Sequence, residues 1–222
     1  MAVVAEQTII HVDGGAPLTA DAVAALAEVC DRAEDAGGRA RVVAHVSGTP
    51  DDTWPVGLSV AVVQKWERVV RRFERLPAPT IAVADGACAG AALDVLLAAD
   101  YRVVTPATEL IVATYDGATW PGMALYRLAQ CGPQTSGIRR AVLFGEPIPA
   151  SDALAMHLVD RLTEDVDLAV TEASRAVAGV SGVELAIRRQ LLADGSSSSF
   201  DEALGAHLAA CDRLLRRTGP GR

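Results

Sequence analysis

Asp85-Gly86-Ala87-Cys88-Ala89-Gly90-Ala91-Ala92 is a run of small residues that stops just short of a carboxylate, Asp94. No large side chain blocks the backbone along it, and Leu93, Leu96 and Leu97 then fall on one helical face. A helix opening at this passage points unpaired amide N–H groups at whatever lies beside it. That suits a carbonyl oxygen gaining negative charge, the requirement of an oxyanion hole. Asp94 stands three residues after Ala91, one turn beyond the amide. A carboxylate near a helix N-terminus is also favoured by the dipole, so a purely structural role competes with an acid–base one.

The flanking segments supply the frame. Thr80–Ala84 (TIAVA) is short, apolar and β-branched, and reads as a buried strand; Tyr101–Val104 returns to strand after the helix. Upstream, Gln7–Val12 alternates as a strand. Thr19 caps a helix through about Ala36 that Gly37-Gly38 ends, and Arg41–Val46 is the next strand. Gly48–Gly57 is a polar loop, and a long helix over Leu58–Leu76 stops at Pro77 and Pro79. Leu110–Ala113 reads as a short strand followed by a Gly/Pro-rich loop to Gly122. Short helices are expected over 123–129, 137–143 and 151–157, and a last strand over Val159–Leu162. Strand–helix alternation implies α/β architecture with a parallel sheet. From about Thr163 the pattern is helical only, over 166–180, 183–193 and 200–217, with Gly195–Ser199 as a linker. The expected division is a core over 1–163 and a helical region over 164–222.

Composition narrows the function classes. The chain has 222 residues, half of them hydrophobic, only 4% aromatic, with a net charge of −8. An acidic chain with few aromatics is a poor nucleic-acid binder. The Arg68, Arg71, Arg72 and Arg75 series lies beside Glu67 and Glu74 and reads as a solvated helix face. MAVVAEQTII lacks a basic n-region and a long apolar core, and no apolar run reaches membrane-spanning length, so a cytoplasmic protein without a membrane partner is expected. Cys30, Cys88, Cys131 and Cys211 show no C-x-x-C spacing, and His11, His45, His157 and His207 are dispersed. Reduced thiols and no metal site are expected. No GxxxxGK[ST] or G-x-S-x-G motif occurs, and no Ser nucleophile lies near Cys88-Ala89-Gly90.

PAPTIAVADGACAGAALDVLLAADYRVVT, Pro77–Thr105, resembles without gaps the signature of the crotonase (enoyl-CoA hydratase/isomerase) superfamily. LTADAVAALAEVCDRAED resembles its first helix, and GEPIPASDALAMHLVDRL a later segment in which His157 stands where Gly is common. The resemblance implies a spiral of ββα units, a C-terminal helical region used for self-association as a homotrimer or dimer of trimers, and a coenzyme A thioester bound as substrate, with no other cofactor. It places the Ala91 N–H in the oxyanion hole beside Gly90, and puts a second donor near Thr53. Asp94 takes the position of one acid–base Glu. The second Glu position falls on Thr114 in LIVATYDGATWPG, a hydroxyl too weakly acidic to serve as an unaided base; Asp116 is the alternative. Trp54, Tyr115 and Trp120 would line the substrate pocket. With both carboxylate positions altered, poor hydration of simple enoyl thioesters is expected.

The altered positions and short chain resemble the divergent hydratase-like proteins of 3,5-dihydroxyphenylacetyl-CoA and dihydroxyphenylglycine biosynthesis in glycopeptide antibiotic pathways. Those proteins assist a type III polyketide synthase, with dehydration and aromatisation of a CoA-bound intermediate. Two classes stay open: a hydro-lyase or isomerase, and a non-catalytic auxiliary that holds an acyl-CoA or contacts the synthase.

Overall fold

The computed structural model describes residues 6–37, 40–131, 136–177, 180, 182–195 and 199–218. The first half alternates strictly: β1 (Glu6–Asp13), α1 (Ala20–Asp35), β2 (Ala40–Gly48), α2 (Val60–Phe73), β3 (Thr80–Cys88), α3 (Gly90–Ala98) and β4 (Tyr101–Val104). Next come β5 (Glu109–Leu110), β6 (Thr114–Tyr115), β7 (Ala118–Thr119), α4 (Met123–Cys131) and α5 (Ser136–Phe144). The chain continues through β8 (Ile148–Pro149), α6 (Ala150–Ala155), β9 (Arg161–Leu162), α7 (Val166–Val177), α8 (Val183–Gly195) and α9 (Phe200–Thr218). After β9 the described residues form helices, as the sequence pattern implies. Gly38 and Ser196 to Ser198 of the expected linkers lie outside the described residues, as do residues 178 and 179 of the expected 166–180 helix.

Strands β1, β2, β3, β4 and β9 lie side by side and all pair in parallel. Beyond Gly86, β3 leaves β4 and pairs its last residues, Ala87 and Cys88, with β5, which in turn pairs antiparallel with β8. The central strands bury both faces, as a parallel sheet requires. Val42, Ala44, Val46, Ala82 and Ala84 enter the larger core with α1, α2 and α3; Val43, Ile81, Val83 and Val103 pack with Ala169 and Ala173 of α7.

Short α3 is held at its carboxyl end. Arg102 donates to the carbonyls of Leu97 at 3.0 Å and Ala99 at 3.3 Å, and to that of Leu158 at 3.0 Å. Asp100 accepts from both the amide and the hydroxyl of Thr80, at 2.8 and 2.9 Å. Asp100 and Arg102 therefore do structural work, closing the last turn of α3 onto β3 and the segment after α6. Arg189 of α8 reaches the same Asp100 and the carbonyls of Leu76 and Ala78, tying the helical region to the sheet.

The sequence reads Leu110–Ala113 as a strand followed by a loop to Gly122; the strand is only Glu109–Leu110, and a hairpin forms within the expected loop. Thr114 and Tyr115 pair with Thr119 and Ala118 across Asp116 and Gly117, which have φ of 49° and 74°. Two successive positive φ values define the primed turn for which Asp-Gly is favoured. His157, standing where the resemblance expects Gly, has φ of 57°, the left-handed conformation that explains the usual glycine. Among the described residues, no helix is long and apolar enough to cross a membrane.

Gly14 sits where the ends of β1 and β2 meet the start of α3, its amide donating to Ser47 O at 2.7 Å. A Cβ there would meet Ala89 O at 2.1 Å and Gly48 O at 2.7 Å, both backbone atoms. Gly14→Ala is expected to destabilise the fold by about 2–4 kcal/mol in chemical denaturation.

Candidate active site

The start of α3 opens on a small cavity of about 50 Å³, lined among others by Gly90, Ala91 and Asp94 of α3, Trp66 and Glu67 of α2, and Pro50, Trp54 and Trp120. By that measure it holds roughly three or four waters or a short acyl fragment. Ala89 is the N-cap and makes no side-chain cap. Ala92 and Leu93 donate to Ala89 O, whereas among the described residues no backbone acceptor meets the Ala91 N–H. This is the free first-turn donor expected of an oxyanion hole.

Asp94 projects from the same face of α3. Its Oδ2 accepts from Trp66 Nε1 at 2.9 Å and its Oδ1 from Arg127 Nη1 at 3.2 Å. The same Nη1 donates to Glu67 Oε2 at 3.1 Å, and Arg127 Nε donates to Glu74 Oε1 at 2.6 Å. One cation thus serves three carboxylates, and its side chain is only 7% exposed. Burial and the neighbouring Glu67 push the Asp94 carboxyl up to about 7, against the pull of Arg127 and the Trp66 hydrogen bond. Near neutrality Asp94 can therefore hold a proton, as a general acid must.

The second acid–base position falls elsewhere than expected. Thr114 and Asp116 are exposed on the β6–β7 hairpin and neither lines the cavity. Thr114 contributes its carbonyl, which accepts from Trp54 Nε1 at 3.4 Å, and Asp116 occupies the turn. Neither is placed as a base. Tyr115 is likewise exposed and points outside the lining, while Trp54 and Trp120 form an edge-on pair with centroids 4.7 Å apart. Thr53 fails as the second donor because its amide already binds Asp51 Oδ1 at 2.8 Å. The residue of that loop against Gly90 is Pro50, which has no N–H.

Sequence reasoning missed Glu67 and the role of Trp66. Trp66 is buried in the core, and its indole N–H holds Asp94. The α2 face is not simply solvated: Glu67 and Glu74, seven residues apart on one side of α2, turn inward to Arg127, and Arg72 pairs with Asp31 and Glu34 of α1. That seven-residue spacing was the available signal.

A second, larger cleft of about 350 Å³ lies by the carboxyl ends of β1 and β2, lined by His11, Asp13, His45 and Asp85. Neither Ala91 nor Asp94 lines it. Buried Cys88, its thiol pushed up by burial, is unsuited to act as a nucleophile. Among the described residues no group of three or more His, Cys, Asp or Glu is placed to hold a metal ion.

A protein from Amycolatopsis orientalis named enoyl-CoA-hydratase is 52% identical over 211 residues, covering 95% of this chain and 97% of its own. The chain belongs to the enoyl-CoA hydratase (crotonase) family. No protein-family model matches it. Among solved structures, an enoyl-CoA hydratase/isomerase family protein from Silicibacter pomeroyi superposes with a TM-score of 0.76 at 18% identity, over 99% of both chains. One from Marinobacter aquaeolei gives 0.76 at 15% identity, over 96% of this chain and 89% of its own. These distant likenesses show the crotonase fold. On that fold, this family member keeps a free amide at the head of α3 and surrounds its carboxylate with an acid-rich network.

The raised Asp94 carboxyl has a thermodynamic signature. Its folded value of about 7 exceeds the ordinary 3.8, so between those limits the folded chain binds a proton that the unfolded chain has released. The contribution of Asp94 to stability is fully present below about pH 4 and is lost as pH rises through 7. The groups acting on Asp94 are Glu67 and Trp66 of α2, Glu74 at its C-cap and Arg127 of α4. Asp94→Asn removes the titration, so the melting midpoint of the variant relative to wild type should rise from pH 5 to pH 8 in calorimetry.

Proposed function

We propose that the protein is a hydro-lyase of the enoyl-CoA hydratase type acting on a coenzyme A thioester. The observation that carries this is the convergence of the unpaired Ala91 N–H and the proton-holding Asp94 on one cavity. The amide receives the thioester oxygen as it becomes enolate-like, and Asp94 transfers its proton to a departing hydroxyl. Each Asp94 oxygen retains a second lone-pair direction beyond its bond to Trp66 or Arg127, so the proton can face substrate.

The edge-on Trp54 and Trp120 at the cavity wall favour a planar acyl group. They support dehydration and aromatisation of a CoA-bound polyketide intermediate in 3,5-dihydroxyphenylacetyl-CoA formation, alongside a type III synthase. Phe200, Leu204, Leu208 and Leu215 leave an exposed apolar stripe along α9. A helix of that kind needs a covering surface, which supports self-association as a trimer or dimer of trimers.

Ala91→Pro removes the donor at a first-turn position that tolerates proline. A folded variant should lose thioester binding or turnover; wild-type binding and activity would defeat the oxyanion assignment. Asp94→Asn should slow conversion of the CoA intermediate by about 10²–10⁴-fold, alone and with the synthase. An unchanged rate would favour an auxiliary that holds acyl-CoA without chemistry.

A further inference from the structure

The expected second base, on the β6–β7 hairpin, does not line the cavity, yet elimination of water needs two proton transfers. We infer that Glu67 is the second acid–base carboxylate of this site, paired with Asp94 through a shared contact to Arg127 Nη1. The inference rests on the hydro-lyase reading above. It stands on three observations. Glu67 lines the same cavity as Ala91 and Asp94. Its Oε2 and Asp94 Oδ1 accept from one nitrogen, at 3.1 and 3.2 Å, so they lie side by side. Glu74, the third carboxylate on Arg127, is bound at Nε and does not line the cavity.

In the dehydrating direction Glu67 takes a proton from the substrate α-carbon while the Ala91 N–H holds the thioester oxygen. The released electron pair forms the α,β double bond, the β-carbon–oxygen bond breaks, and Asp94 gives its proton to the leaving hydroxide, producing water. Glu67 ends protonated and Asp94 ionised. Transfer of that proton from Glu67 to Asp94 through solvent restores the starting state. Hydration runs the same moves backwards.

Arg127 sets a permanent positive charge beside both carboxylates, at 3.1 Å from Glu67 and 3.2 Å from Asp94. Arg127 holds the charge of the base without itself giving up a proton. It is thus a positioning residue.

The test uses crotonyl-CoA with the full chain, measuring binding by calorimetry and hydration by loss of enoyl absorbance. Glu67→Gln should bind crotonyl-CoA as wild type does yet hydrate it about 10²-fold or more slowly. Glu67→Asp, which retains a carboxylate, should recover part of the rate. Wild-type hydration by folded Glu67→Gln overturns the assignment and leaves the hydro-lyase reading intact. Binding of crotonyl-CoA without hydration by the wild-type protein, the outcome that Thr114 at the second position gives when no other carboxylate replaces it, also overturns the Glu67 assignment. Failure of the wild-type protein to bind any acyl-CoA overturns the functional reading and this role with it.

Discussion

The buried guanidinium of Arg127 holds the site together. It joins α4 to Glu67 and Glu74 of α2 and to Asp94 of α3, so three separately folded helices share one electrostatic centre. A buried cation left unpaired would cost several kcal/mol, which fixes the relative placement of these helices more tightly than apolar contact alone. The charge count is unequal, with three carboxylates around one cation. The surplus is relieved by a proton, and Asp94, the least exposed of the three carboxylates, retains it. Stability and chemistry thus draw on the same arrangement.

The oxyanion side of the site depends on small residues. Gly14, Ala89 and Gly90 allow the end of β1, the end of β2 and the start of α3 to approach at backbone distance. That approach leaves the Ala91 amide at the cavity wall and sets Pro50 opposite it. The site accordingly has a pronounced asymmetry, a bare donor on one side and a ring with no donor on the other.

Much of this was legible locally. The strands β2 and β3 and helix α3 follow from β-branched runs, small residues and leucine spacing, and the Ala91 donor follows from where α3 must begin. Asp94 could be placed on the right face of α3 for the same reason. The hairpin was less visible because two-residue strands are too short to show alternation, although Asp116-Gly117 carries the turn chemistry. Glu67 was hidden for a different reason. Its partner Arg127 lies 60 residues away on another helix, and a glutamate among arginines resembles a solvated face until tertiary packing turns it inward. Thr53 looked like a donor because nothing in its local sequence announces that Asp51 has already captured its amide.

Arg102 has an effect that reaches past packing. Helix α3 spans nine residues, so at 1.5 Å per residue its two ends are only about 13 Å apart. In so short a helix the partial negative charge of the far carbonyls would oppose the field at the near end. With the guanidinium grounded on Leu97 O and Ala99 O, that opposing pole is muted and the positive pole at Ala91 acts on the cavity with less cancellation. The reactivity of the site is in this sense tuned from the opposite end of the helix, by a residue that no substrate would touch.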